Sequence, residues 1–226
     1  LRRSRGLGDV YKRQDEKVSA FISVKEFNED HYVVMATEKG MVKKTKLSAY
    51  SNPRKKGIYA VEIRDGDKLI EARVSTGDND ILLGTRNGKS IRFSEEQIRA
   101  SGRKTMGVKG ITLSSEDDRL VGMLLIKREG TVLVATEKGF GKRTEISQYR
   151  AQKRGGKGVL TMKTTDKVGK MVTIKEVVDK DDLMIITNQG VLIRLPVAQI
   201  RSIGRATQGV KLIKLGEGTL VSSITR

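Results

Sequence analysis

The pentapeptide ATEKG occurs twice in this chain, at 36–40 and at 135–139, and GTRNG (84–88) and TNQG (187–190) hold the same place in two further segments. Each follows a short apolar stretch (YVVMA, DILLG, VLVA, LMIIT) and precedes a mixed one (MVKKT, KSIRF, FGKRT, VLIRL). Two β-rich stretches flanking a glycine-ended turn read as a β-hairpin, because glycine reaches positive φ without the penalty a Cβ carries. The closing glycines, Gly40, Gly88, Gly139 and Gly190, therefore set the phase of a repeat of about fifty residues.

Other positions keep that phase. A cation stands four residues after each closing glycine (Lys44, Arg92, Arg143, Arg194), and a large apolar residue stands ten after it (Tyr50, Ile98, Tyr149, Ile200). A second glycine recurs at Gly57, Gly107, Gly158 and Gly209, nineteen residues on in three units and seventeen in the shorter first one. A further apolar stretch follows it each time: IYAVEI, VKGITL, VLTMK and VKLIKL. With two prolines and no long helical period, the expected fold is all-β, each unit a blade-like antiparallel sheet of about four strands. The units fall at about 31–79, 80–130, 131–182 and 183–226, within one domain over 18–226.

Residues 1–17, LRRSRGLGDVYKRQDEK, match nothing later in the chain and are expected to be foreign or disordered sequence outside the domain. The chain of 226 residues has no cysteine, which excludes disulfides, thiolate nucleophiles and Cys-ligated zinc, and its single histidine, His31, cannot build a multi-histidine metal centre. No apolar run has the length of a membrane span and no signal-peptide core is present, so a cytoplasmic location is expected.

Lys and Arg total 45 against 27 Asp and Glu, a net charge of +18. The segments around the second glycine, 51–60, 99–113, 150–163 and 199–214, hold sixteen basic residues and no acid. Acids gather instead in RDGDK, TGDND, SSEDD and DKDD, turns expected at a different end of each blade. Cationic loops repeated at blade spacing suit a long, stiff, uniformly charged polyanion, and double-stranded DNA is that object. The candidate phosphate contacts are Arg54, Lys55, Lys56, Arg103, Lys104, Lys109, Arg150, Gln152, Lys153, Arg154, Gly155, Gly156, Lys157, Gly158, Arg201, Arg205 and Lys211, with Lys44, Arg92, Arg143 and Arg194 behind them. The glycines are expected to let backbone amides approach phosphate oxygens. Aromatic residues are scarce and only Tyr59 lies in a basic loop, which disfavours a base-stacking platform for single strands.

Three other motifs have plainer readings. GTRNGKS (84–90) is one residue short of a Walker A loop and runs into IRF, so it is a hairpin turn. DGD (65–67) and DND (78–80) lack the glycine and glutamate of a calcium loop and are turns. Tyr50 and Tyr149 occupy an apolar position of the repeat and belong to core packing.

The run Gln152-Lys153-Arg154-Gly155-Gly156-Lys157-Gly158 resembles the Gln-Arg-Arg-Gly-Gly-Lys-Gly loop that marks the C-terminal domain of the DNA gyrase A protein, with Lys153 in place of one arginine. The segments 141–158, FSEEQIRASGRKTMGVKGI and IRSIGRATQGVKLI also resemble that family, over roughly residues 18–226. The resemblance implies a β-pinwheel that bends DNA around a basic rim and presents a neighbouring duplex segment to the strand-passage gate, so that the enzyme introduces negative supercoils. In the family the full motif lies in the first of about six blades; here its best copy lies in the third of four units. The chain is accordingly expected to carry later blades and lack earlier ones.

By the same resemblance this chain holds no catalytic residue, metal or cofactor. ATP and magnesium act elsewhere in the holoenzyme. The implied partners are duplex DNA, the rest of the gyrase A protein and the gyrase B protein in a heterotetramer, in the bacterial cytoplasm at the nucleoid and away from membranes. The related tail domain of the topoisomerase IV A protein is the near alternative, and a propeller-like scaffold for RNA or an acidic protein the distant one.

Overall fold

The computed structural model describes residues 17–226. The expectation for residues 1–17 thus falls, except for Lys17, outside the described residues.

Each closing glycine does what the hairpin reading requires. In the first unit β1 (Tyr32–Thr37) and β2 (Met41–Lys46) pair antiparallel, and Gly40, at φ 81°, donates its N–H to the Thr37 carbonyl at 3.0 Å. The chain then makes a long excursion and returns as β3 (Leu69–Ser75), which pairs with the other side of β1. The second unit repeats this plan with β4 (Asp80–Thr85), β5 (Lys89–Ser94), a two-residue β6 (Val108–Lys109) inside the excursion, and β7 (Leu120–Ile126). The third has β8 (Thr131–Thr136), β9 (Phe140–Glu145), β10 (Val159–Leu160) and β11 (Met171–Val177). The fourth has β12 (Asp182–Thr187), β13 (Leu192–Pro196), β14 (Val210–Lys211) and β15 (Val221–Thr225). Among the described residues the only helical elements are 3₁₀ turns of three or four residues after the second strand of each unit.

The sheets do not coincide with the sequence units. Their strand orders are β3-β1-β2-β6, β10-β5-β4-β7, β11-β8-β9-β14 and β13-β12-β15. Each of units 2 to 4 therefore builds three strands of its own blade and lends its short strand to the blade before it. This corrects the reading of one unit as one four-stranded sheet. It also shortens the expected apolar strands after the second glycine: VKGITL, VLTMK and VKLIKL contribute two residues each, and IYAVEI (58–63) forms none. The ladder stops for a local reason. After two pairs, the next two amides converge on the carbonyl of the closing glycine, Gly110 and Ile111 on Gly40, Thr161 and Met162 on Gly88, Leu212 and Ile213 on Gly139.

Blades pack face to face. One core cluster joins Val34, Ala36 and Val42 of the first to Ile81, Leu83, Ile91 and Phe93 of the second. The next joins Leu82 and Leu124 to Val132, Val134 and Tyr149, and a third joins Leu133 and Ala135 to Leu183, Ile185 and Ile200. The middle strands β1, β4 and β8 are buried on both faces, hence their unbroken apolar runs. Successive inner strands β3, β7, β11 and β15 pack on one another, so β6, β10 and β14 form the outer edges. Ala20, Ile22, Val24, Ala60 and Val61 pack on the remaining face of blade 1.

Gly158 stands at φ 69° where a Cβ would run into the Ser90 carbonyl of the neighbouring blade, while Gly57, at φ 79°, has nothing within 4 Å of that position. Gly158→Ala combines a clash against backbone with left-handed strain and is expected to cost about 2–5 kcal/mol. Gly57→Ala carries the strain alone, about 1–2 kcal/mol. Chemical denaturation of the two variants measures the difference.

Candidate nucleic-acid interface

The excursions of units 2 to 4 run along the outer edges, each from its own blade to the one before. They start where Ile98, Tyr149 and Ile200, all buried, plug the end of the second strand; Tyr50 is half-buried at the same position and bonds the Ala60 carbonyl. Burial pushes the Tyr149 phenol up to about 12, so it packs as a neutral ring. Single parallel bridges, Lys44 to Ala100, Arg92 to Ala151 and Arg143 to Ser202, then seat each loop on its neighbour.

The cations four after the closing glycine secure this seat. Lys44 Nζ donates to the Glu95 carbonyl and pairs with the buried Glu95 carboxylate at 3.6 Å. Arg92 binds Asp80 at 2.6 Å and the carbonyls of Ile146 and Tyr149. Arg143 binds Asp179 and the Ile200 carbonyl. These three lie between blades, with side chains 8%, 23% and 11% exposed. They tie one unit to the next, which leaves these three, ranked behind the loop cations from sequence, with less free side chain than the loop lysines. Arg194, 70% exposed, pairs only with Asp182 of its own blade among the described residues.

Two lysines that composition counts as surface charge are interior. Lys43 donates to the carbonyls of Ala60 and Arg103, and Lys142 to those of Gly204 and Arg205 and to the Thr207 hydroxyl, so each pins the following unit's loop. Burial, reinforced by Arg103 and Arg205 respectively, lowers both ammonium groups to about 8. Ile91 holds the equivalent place in blade 2, and the loop resting on it is the glycine-rich QKRGGKG segment, whose Gly156 lies against the Ile91 side chain.

Among the candidate residues, the loop arginines differ from the lysines. Arg154 donates to the Gln97 and Lys109 carbonyls, at 3.0 and 3.1 Å, while its amide donates to the Gln97 side chain. Arg205 reaches the Leu160 carbonyl at 2.9 Å and Arg103 the Tyr59 carbonyl at 3.3 Å. Tyr59, Lys109 and Leu160 stand two residues after their units' second glycines, so each arginine staples its loop to the loop before. All three remain at least partly exposed. Arg54, Lys55, Lys56, Lys104, Lys109, Arg150, Lys153, Lys157, Arg201 and Lys211 are exposed on the outer edge. Lys104 lies over the Tyr59 ring and Lys211 over the Phe140 ring, at 5.9 and 5.6 Å.

The glycines have a packing role first. The Gly155 amide donates to the Gly110 carbonyl at 2.6 Å, the Gly156 carbonyl accepts from Thr112, and Gly158 lies against Ser90. Gln152 donates its amide to the Arg92 carbonyl. The Gly155 N–H is thus already bonded within the protein.

The acidic turns occupy both ends of the blades instead of one. RDGDK and SSEDD lie beside the hairpin turns, where Asp67 accepts the Lys39 amide and Asp118 the Asn87 amide, each at 2.9 Å. TGDND and DKDD precede β4 and β12 at the opposite end. Asp118 is buried. GTRNGKS forms the β4–β5 hairpin, and His31 bonds its neighbour Asp30. No group of three or more potential metal ligands occurs among the described residues, and no helix there is long and apolar enough to cross a membrane.

Blades that lend a strand backwards and carry loop cations along their outer edges define a β-pinwheel, a propeller-like class. The family described as DNA gyrase C-terminal domain, beta-propeller, matches residues 31–76, 79–127, 130–177 and 181–225, and the chain belongs to it. The DNA gyrase A protein of Staphylococcus epidermidis (strain ATCC 12228 / FDA PCI 1200) is 44% identical over 231 residues, covering 100% of this chain and 26% of that protein. Its counterpart in Staphylococcus aureus (strain NCTC 8325 / PS 47) is 43% identical with the same coverage. The chain thus spans about a quarter of the curated relatives it matches. The solved C-terminal domain of DNA topoisomerase IV superposes with a TM-score of 0.85 at 25% identity, over 90% of this chain and 64% of that one. The DNA gyrase A C-terminal domain gives 0.84 at 21%, over 98% and 74%, a likeness of fold.

Lys43 and Lys142 should titrate near pH 8 by side-chain NMR, well below exposed lysines. The folded chain releases these protons before the unfolded one does. Their contribution to stability therefore rises as pH climbs from about 8 towards the ordinary lysine value, and is lowest below pH 8. Lys142→Met should remove its low-pKa signal and loosen the 204–207 loop in hydrogen exchange.

Proposed function

We propose that this domain binds double-stranded DNA without sequence specificity along its outer edges and bends it. In this reading it is the accessory wrapping element of a bacterial DNA gyrase, working with the rest of the A protein and with the B protein in the cytoplasm. The carrying observation is the row of exposed loop cations, above all Lys104, Lys153, Lys157 and Arg201, in segments without a single carboxylate. Such cations neutralise phosphates and release counterions, a term that reads charge spacing and not base identity. A bend of roughly 40–90° costs duplex DNA about 1–6 kcal/mol, which phosphate neutralisation distributed over several loops offsets. The arginine staples and buried lysines keep the loops in place, so the track is ordered before DNA arrives. Cleavage, ATP hydrolysis and their magnesium belong to other parts of the enzyme.

Two measurements test this reading. Nicked circular DNA sealed by ligase with the protein present should show a changed linking number; binding without any change would exclude wrapping by this chain. The Lys153→Glu, Lys157→Glu double variant should bind duplex more weakly and lower the slope of log affinity against log salt by about 0.9 for each phosphate no longer neutralised. Glu116→Lys with Asp65→Lys, at exposed acidic positions, should leave the slope unchanged. Equal effects from the two pairs would reject the outer edge as the DNA track, and a stronger response to RNA or an acidic protein would favour the scaffold reading.

A further inference from the structure

Three basic loops rest on an accepting blade, and the residue beneath each, three after that blade's closing glycine, is Lys43, Ile91 or Lys142. An ammonium beneath a loop needs oxygen acceptors turned towards it. Lys43 Nζ accordingly meets the carbonyls of Ala60 and Arg103, and Lys142 Nζ meets those of Gly204 and Arg205 together with the Thr207 hydroxyl. A trans peptide carries its C=O and N–H in opposite directions, so the inward carbonyls of Arg103 and Arg205 send the amides of Lys104 and Ala206 outward. Both residues are exposed, and neither amide donates to any group among the described residues.

Ile91 makes no such demand, and the loop above it has the corresponding peptide turned over. There the amide, that of Gly155, points inward to the Gly110 carbonyl at 2.6 Å. Turning a peptide over moves the residue after it to positive φ, a region that glycine enters without the cost a Cβ brings. Gly155 stands at φ 79°, whereas no residue other than glycine has positive φ among the described residues, Lys104 and Ala206 included. The Gly155 carbonyl is held in turn by the Thr112 hydroxyl at 2.7 Å. Floor residue and peptide orientation therefore change together. Units 2 and 4 have an ammonium below and an amide facing out; unit 3 has a hydrocarbon below and an amide facing in.

We infer, on the DNA-binding reading above, that the Lys104 and Ala206 amides are phosphate-binding groups, each donating to a phosphodiester oxygen and each aimed outward by the buried lysine beneath it. A carbonyl that accepts from a cation is polarised, and the N–H of the same peptide becomes a stronger donor. The surroundings suit an anion, since segments 99–113 and 199–214 hold four basic residues each and no acid. In unit 4 the stretch Ala206–Gln208 has no cationic side chain, whereas Lys104 and Lys157 lie in the matching stretches of units 2 and 3. The backbone thus supplies at Ala206 the donor that a lysine supplies in the other two loops. Unit 3, with its amide turned in, works through the Lys153 and Lys157 side chains.

The test is amide NMR of this 226-residue chain, isotope-labelled, with a short DNA duplex of mixed sequence added. The Lys104 and Ala206 amide protons should move downfield, and much further than that of Gly155. Lys142→Met should abolish the Ala206 response and leave that of Lys104. Ala206→lactic acid, which exchanges the N–H for an ester oxygen, should weaken duplex binding about 2- to 10-fold. The slope of log affinity against log salt should stay unchanged, because an amide releases no counterion. A slope that falls along with the affinity would show that the loop cations had been displaced, and would overturn the assignment to the amide. Duplex binding with both amides silent overturns the inference alone, whereas no duplex binding at all overturns the DNA-binding reading and the inference with it. An Ala206 amide that still responds in Lys142→Met overturns the part given to the buried lysine.

Discussion

The structure depends on a strand that each of units 2 to 4 gives away. Two residues, Val108–Lys109 and their counterparts, are too short to stabilise a sheet alone, but they hold a basic loop against the preceding blade while the unit's own three strands stay behind. Two successive blades are linked by a short turn such as that from β3 to β4, by the excursion that carries the lent strand, and by the apolar cluster between their faces. The faces supply most of the energy, at about 1.5–3 kcal/mol for each fully buried aliphatic side chain. The lent strand supplies register. It fixes which blade follows which and how far each loop advances along the outer edge.

Charge in this domain divides by partner and not by residue type. Lys44, Arg92 and Arg143 tie units together, Lys43 and Lys142 pin loops from beneath, and Arg103, Arg154 and Arg205 staple one loop to the next. What remains on the outside is mainly lysine, a compact point charge on a flexible stem that is free of the carbonyl contacts fixing the arginine forks. The staples also couple the loops, since displacing Arg154 disturbs the Lys109 carbonyl of the loop before it.

The hairpins were legible because glycine at positive φ is a local demand, visible at Gly40, Gly88 and Gly139 without knowledge of any neighbour. The apolar plugs at Ile98, Tyr149 and Ile200 were legible for a similar reason, as one large side chain at a fixed distance from each turn. The direction of strand lending was not. A repeat gives the phase of each segment but not the sheet it joins, and Val108 reads the same whether it pairs within its own unit or with Val42. Nor could sequence separate Lys142 from Lys157, or Asp118 from Asp117, because formal charge is blind to burial; only the carbonyls around Lys142 and the amides around Asp118 distinguish them.

The acidic turns at both blade ends have a geometric consequence. On the reading proposed above, a polyanion that leaves the lysines for either flat side of the array meets exposed carboxylates, Asp65 and Glu116 on one and Asp78 on the other. In the proposed binding mode the basic strip has acidic margins, and a duplex following it would be confined as well as attracted. Neutralising those margins would leave the grip intact and widen the path.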